Sequence, residues 1–151
     1  MNAYAIPMHA APSFLGTRRT LKRGVEVLKA LAVGVINGFL DALCRNVSYA
    51  NATVYVKLHT GAPGSAGANN AAGNTTRQQA TFSAASGGAI TNSSDVVWTN
   101  VSTSETYSHI SLWSASSGGT FLGEAALASS QAVVAGNNFR IVAGDLDISG
   151  S

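Results

Sequence analysis

A change of period near residue 52 constrains this chain more than any other feature. From Ala52 onward apolar and polar residues alternate in short runs, and most of the runs end at a turn signal. Val54, Val56 and Leu58 alternate with Tyr55, Lys57 and His59, the signature of a strand buried on one face. Further short strands are expected near Ala80–Ala84, Ser94–Thr99, Glu105–Ser114, Thr120–Leu127, Gln131–Val134, Asn137–Val142 and Asp145–Ser149. Turn signals include Ser86-Gly87-Gly88, Ser117-Gly118-Gly119, Gly136-Asn137 and Gly144-Asp145. Strands of this number and length predict a mainly β fold, an antiparallel, jelly-roll-like β-sandwich. Gly61–Gly73, rich in Gly, Ala, Pro and Asn, reads as a loop.

The N-terminal third follows a different rule. Residues 1–19 hold Pro7, Pro12 and Gly16 among scattered apolar residues, with no sustained period, and read as an extended arm. Over 20–46 the apolar residues Leu21, Val25, Leu28, Ala32, Val35, Phe39 and Leu43 recur every three or four positions, predicting an amphipathic helix. Thr17 or Thr20 suits its N-cap. Leu31, Ile36 and Leu40 widen the apolar stripe, so this helix needs cover on most sides. Phe39 and Leu43, nearest the first strand, are expected to pack under the sandwich, which occupies 47–151. Leu28, Leu31 and Val35 are expected to meet sister subunits or another protein. Gly34-x-x-x-Gly38 marks a bend or a close contact.

Charge divides the chain the same way. Residues 1–57 carry seven of the nine basic residues against two acids, whereas residues 58–151 carry two basic residues against five acids. Arg18, Arg19, Lys22 and Arg23 form the sharpest cluster and are expected to dock on an acidic protein surface. Nucleic acid calls for a broader basic footprint with interleaved aromatics, so none is expected. Thr17-Arg18-Arg19-Thr20-Leu21-Lys22 also resembles a twin-arginine export motif, which would make the chain an exported adhesin or glycan-binding module. The apolar run behind it, Ala30–Leu40, is broken by Asn37 and two glycines and is too short to span a bilayer. Only 11% of residues are charged, which suits a surface covered by neighbours.

Chemistry-bearing patterns are sparse. Cys44 is the single cysteine, and His9, His59 and His109 lie on three separate segments. The sequence has no G-x-S-x-G elbow, HExxH motif or phosphate loop, so neither catalysis, a metal nor a cofactor is expected. Asp145 and Asp147 would share one strand face, the geometry of a solvated edge or a calcium pair. Trp98, after Val96 and Val97, reads as core. Trp113, next to the buried positions Ile110 and Leu112, reads as outward-facing and able to stack on a host-surface glycan.

Five ordered blocks carry a resemblance. They are Leu58-His59-Thr60-Gly61-Ala62-Pro63-Gly64; Arg77-Gln78; Ser111 through Gly123; Ala135-Gly136-Asn137-Asn138-Phe139-Arg140; and Ala143-Gly144-Asp145-Leu146-Asp147-Ile148. Over about residues 36–149 the chain resembles a widespread family of small phage structural proteins, usually labelled tail fibre or minor tail protein. The resemblance implies a β-rich, non-catalytic virion component. The reading preferred here is a protein that binds other virion proteins and assembles as a homo-oligomer, with a trimer expected. A tail fibre or tail-tip position, anchored by the arm, is the first expectation; a capsid decoration (cement) protein on the head exterior is the alternative. Relatives often have Asp at the position of Ala62 and Glu at that of Asn69 or Asn70, so any cation or partner held by those acids is lost here.

Overall fold

In the computed structural model, which describes residues 30–49 and 53–149, the described segments run β1 (Ala30–Leu31), α1 (Val33–Arg45), β2 (Val54–His59), β3 (Gln78–Ala80), β4 (Ala89–Thr91), β5 (Val96–Trp98), β6 (Glu105–Trp113), β7 (Phe121–Val133), β8 (Phe139–Ile141) and β9 (Asp147–Ser149). All pairings are antiparallel. One five-stranded sheet has the order β1-β7-β6-β2-β3, and two ribbons, β4-β9 and β5-β8, complete the body. The fold is therefore mainly β, as the alternation predicts.

Register explains which side chains make the core. Val56 faces Leu112, which faces Gly123; Leu58 faces Ile110, which faces Ala125. These rows form the sheet's inner face, where Val56, Leu58, Ile110, Leu112 and Ala125 are all buried. From the ribbon β5-β8, Val96, Trp98, Phe139 and Ile141 join the same core. Phe139 ties the two layers together, its ring edge-on to Tyr107 at 5.1 Å and 5.7 Å from Trp98. Trp98 is core as expected, and its indole N–H donates to the Thr76 carbonyl at 2.9 Å.

Asn92 locks the second ribbon. It is 2% exposed, its Nδ2 donates to the carbonyls of Ser94 and Val142, and its Oδ1 accepts from the Leu146 amide. Buried polar side chains are tolerated where every group is satisfied in this way.

Four features depart from the sequence reading. The helix begins at Val33, because Ala30–Leu31 pair with Glu124 and Gly123 and the Ala32 amide donates to the Leu122 carbonyl. An open strand edge on β7 captures backbone that the apolar period alone would make helical; residues 20–29 and both candidate N-caps lie outside the described residues. The helix is also rotated from expectation, with Phe39 60% and Leu43 70% exposed while Val35 packs against the core. The tether at Ala32 joins the start of the helix to β7, and Val35, one turn on, is the helix residue that packs against the core. β7 runs unbroken through the interval between the two expected strands, absorbing Leu127–Ser130 as an irregularity between the pairs His109–Ala126 and Tyr107–Gln131. Finally, Ala89–Thr91 forms a strand against β9 although its sequence shows no alternation.

Candidate functional site

Three of the five blocks that carry the family resemblance meet at the outer face of the five-stranded sheet. Lys57, Ser111 and Glu124 form one cross-strand row there, and His59 and His109 another. Outer-face residues of a half-buried sheet are ordinarily wet, yet His59 and Ser111 are both fully buried. The loop that follows β2 is the cover. Its Gly67 backbone seats against the ring edges of Phe121 and Trp113, so closely that a Cβ there would lie 2.4 Å from Phe121 and 2.9 Å from Trp113. Gly67 has φ +66 and Gly64 φ +74, conformations that L side chains rarely adopt.

Under that loop runs a directed hydrogen-bond chain. Trp113 Nε1 donates to Ser111 Oγ at 2.8 Å, and Ser111 Oγ lies 2.7 Å from His59 Nε2. His59 Nδ1 lies 2.8 Å from the Asn69 carbonyl, which can only accept. The proton therefore sits on Nδ1, Nε2 accepts, and the Ser111 hydroxyl donates to it. Burial is the main cause lowering the His59 pKa below its usual value, opposed by the Asn69 carbonyl and reinforced by Lys57 and His109. The ring is thus held neutral, the state the chain requires.

A serine paired with a histidine invites comparison with a catalytic dyad. Here the hydroxyl already has both neighbours, the histidine is oriented by a backbone carbonyl rather than a carboxylate, and neither side chain reaches solvent. The arrangement holds a loop in place.

Arg77 completes the corner. Its guanidinium lies 3.8 Å from the centroid of the Trp113 ring, and its Nη1 donates to the carbonyls of Ala115 and Gly118. The β6–β7 loop closes through Ser114, whose Oγ accepts from the Thr120 amide at 2.8 Å. Three of the five sequence blocks therefore meet in one stacked corner. The other two lock loops elsewhere: Asn138 Oδ1 accepts from the Asn100 amide, and the Gly144 amide donates to the Asn92 carbonyl.

A second candidate surface is apolar. Among the described residues with exposed large hydrophobic side chains, Leu31, Val33, Ile36, Phe39, Leu40, Leu43, Val47 and Tyr49 lie between residues 31 and 49, and only Val97, Val134 and Val142 belong to the body. No residue of α1 is buried. Gly38 has a clear purpose, since the Tyr49 ring lies where its Cβ would be.

The expected site residues distribute unevenly over these two surfaces. Arg18, Arg19, Lys22, Arg23 and Leu28 lie outside the described residues. Leu31 is 43% exposed at the sheet edge, whereas Val35, expected to face a partner, packs against the body's own core. Trp113 is half-buried, with one ring face taken by Arg77 and its edges by Phe121 and Gly67, so packing occupies much of the surface a sugar would use. Asp147 lies on β9 and Asp145 in the turn before it, and among the described residues no group of three metal-ligating side chains exists. Nor is any described helix long and apolar enough to cross a membrane. The sequence puts His59 and Ser111 in separate blocks with nothing to pair them; 52 positions apart, they become neighbours only through the β2–β6 register.

The family model described as podophage GP4 fiber I protein gp80 matches residues 33–149, most of the chain. No curated protein matches it.

Proposed function

Because the chain belongs to the podophage fiber I protein family, a family of phage-particle structural components, we propose that it is a repeating subunit of a tail fibre or tail tip. In this reading the β-body faces outward and the N-terminal region anchors it to other virion proteins. The observation that carries the reading is the segregation of apolar surface. Among the described residues, eight of the eleven exposed large hydrophobic residues fall in the 31–49 stretch, and only three lie on the body. Patches of that size mark interaction surfaces rather than solvent-facing ones. The stacked corner around Trp113 supports the same reading, since its hydrogen bonds and ring contacts go into holding loops in place.

Arg18, Arg19, Lys22 and Arg23 supply the electrostatic part of the anchor, docking on an acidic surface of a neighbouring virion protein. Exposed charges are screened beyond about 8 Å at physiological ionic strength, so such docking is salt-sensitive. The test is incorporation of the full chain into particles. With all four residues changed to Gln, the chain should join particles poorly at physiological salt. Incorporation that is unchanged at every salt concentration would rule out electrostatic anchoring.

A further inference from the structure

Lys57 and Arg77 set two positive charges side by side on the outer face of the sheet. In the β2–β3 ladder Val54 faces Ala80, Tyr55 faces Gln79 and Val56 faces Gln78, so one further step along the antiparallel register sets Lys57 against Arg77. The two are close enough that Arg77 is, after burial, the second cause lowering the Lys57 pKa. Like charges directly opposite each other destabilise a sheet, and an adjacent acid ordinarily offsets them. Here no acid does. Among the described residues the ion pairs are Arg45–Asp41 and Arg140–Asp95. Glu124 shares the cross-strand row of Lys57 but stands beyond Ser111 and pairs with neither cation. Arg77 uses Nη1 on the Ala115 and Gly118 carbonyls, which fixes the guanidinium against Trp113 and leaves Nε and Nη2 with no partner among the described residues.

We propose that Lys57 and Arg77 together bind a carboxylate supplied from outside the chain, at the β2–β3 edge of the sheet. The site lies on the β-body and stands apart from the N-terminal anchor of the fibre reading. Arg77 is held by the loop carbonyls and the Trp113 ring, so its remaining N–H groups are fixed in place, and Lys57 adds a second charge on a stem that can adjust. A carboxylate fits this pair better than a phosphate. Phosphate sites recruit backbone amides at a helix N-terminus or a nest, and the only helix among the described residues starts beside β7, toward the opposite edge of the sheet. Tyr55 and Gln79, the neighbouring pair on the same face, border the site with a half-buried ring and an exposed amide that can hold the rest of the acid. A free organic acid and an aspartate or glutamate side chain of another protein present the same group, and two probes separate them.

The experiment is an NMR titration of the isotope-labelled full chain with sodium acetate and, separately, with an end-capped hexaglutamate peptide, each against sodium chloride at constant ionic strength. The backbone amide signals of Tyr55, Val56, Lys57, Arg77, Gln78 and Gln79 should shift with the carboxylates and not with chloride. Lys57→Gln should weaken binding by about tenfold or more, since it removes a hydrogen bond between charged groups. Without ligand the same variant should unfold roughly 1–4 °C higher than wild type, because the repulsion from Arg77 is gone. A lysine kept only for packing would give no such gain. Arg45→Gln, which removes a charge from α1, should leave binding unchanged. Hexaglutamate binding more tightly per carboxylate than acetate supports the site and assigns it to an acidic protein segment; equal affinity supports it and assigns it to a free organic acid. No shift at these residues with either probe, binding untouched by Lys57→Gln, or inorganic phosphate binding more tightly than acetate would overturn the proposal.

Discussion

Replacing Ser111 with alanine removes one oxygen atom and cuts the hydrogen-bond chain in the middle. The substitution leaves almost no cavity, so its cost isolates the polar network. His59 Nε2, fully buried, loses its donor and has no water to replace it; an orphaned buried acceptor costs about 1–3 kcal/mol. Trp113 Nε1 loses its acceptor too, but Trp113 is only half-buried, so about 1 kcal/mol is lost there. The sum is about 2–4 kcal/mol, which for a domain of this size lowers the melting temperature by roughly 10 °C. Urea unfolding followed by tryptophan fluorescence measures it. A cycle with His59→Leu adds a second check, because side chains joined in one network are non-additive by about 0.5–3 kcal/mol. A Ser111→Ala variant within 0.5 kcal/mol of wild type, additive with His59→Leu, would refute the directed chain.

Three further outcomes follow from the same structure. His59 has its pKa lowered by burial, so the unfolded chain takes up a proton near pH 6.5 while the folded chain does not; stability should be flat above that pH and fall below it, by at most about 1.4 kcal/mol per unit, and His59→Gln should lose this slope between pH 6.5 and 5. Asn92→Ala should cost about 3 kcal/mol in chemical denaturation, since it strips partners from the Ser94 and Val142 carbonyls and the Leu146 amide. Phe39→Ala, at 60% exposure, should change the stability of the isolated chain by less than about 1 kcal/mol in thermal unfolding, where a buried phenylalanine would cost about 3–5 kcal/mol.

Strands were legible wherever one face was buried and the other wet. Val54–His59 and Glu105–Trp113 alternate because their rows line a core, and their predicted bounds fall within a residue or two of the observed ones. Ala89–Thr91 was not legible, because all three residues are half-buried and give no contrast between faces. The helix was legible in kind and misjudged in extent and rotation. Its apolar period says that something must cover it, but which residue meets the body depends on the Ala32 tether to β7, a long-range contact that no local pattern encodes. The stacked corner was half legible. Arg77, Trp113 and the glycine-rich loops stood out as a family pattern, whereas the Ser111–His59 link depends on strand register and on a loop that buries the outer face. Trp113 illustrates the general difficulty: alternation correctly turned it away from the inner core, and Arg77, Phe121 and Gly67 then packed around it.

The central claim, a fibre subunit held by its N-terminal region, is tested most directly by locating the chain in purified phage particles. Immunogold labelling with antibody against the β-body, together with quantitative mass spectrometry of particle proteins, gives both place and copy number. The fibre account predicts label confined to the tail, in a small copy number divisible by three. Label spread over the head in many copies, the pattern of a capsid decoration protein, would contradict it.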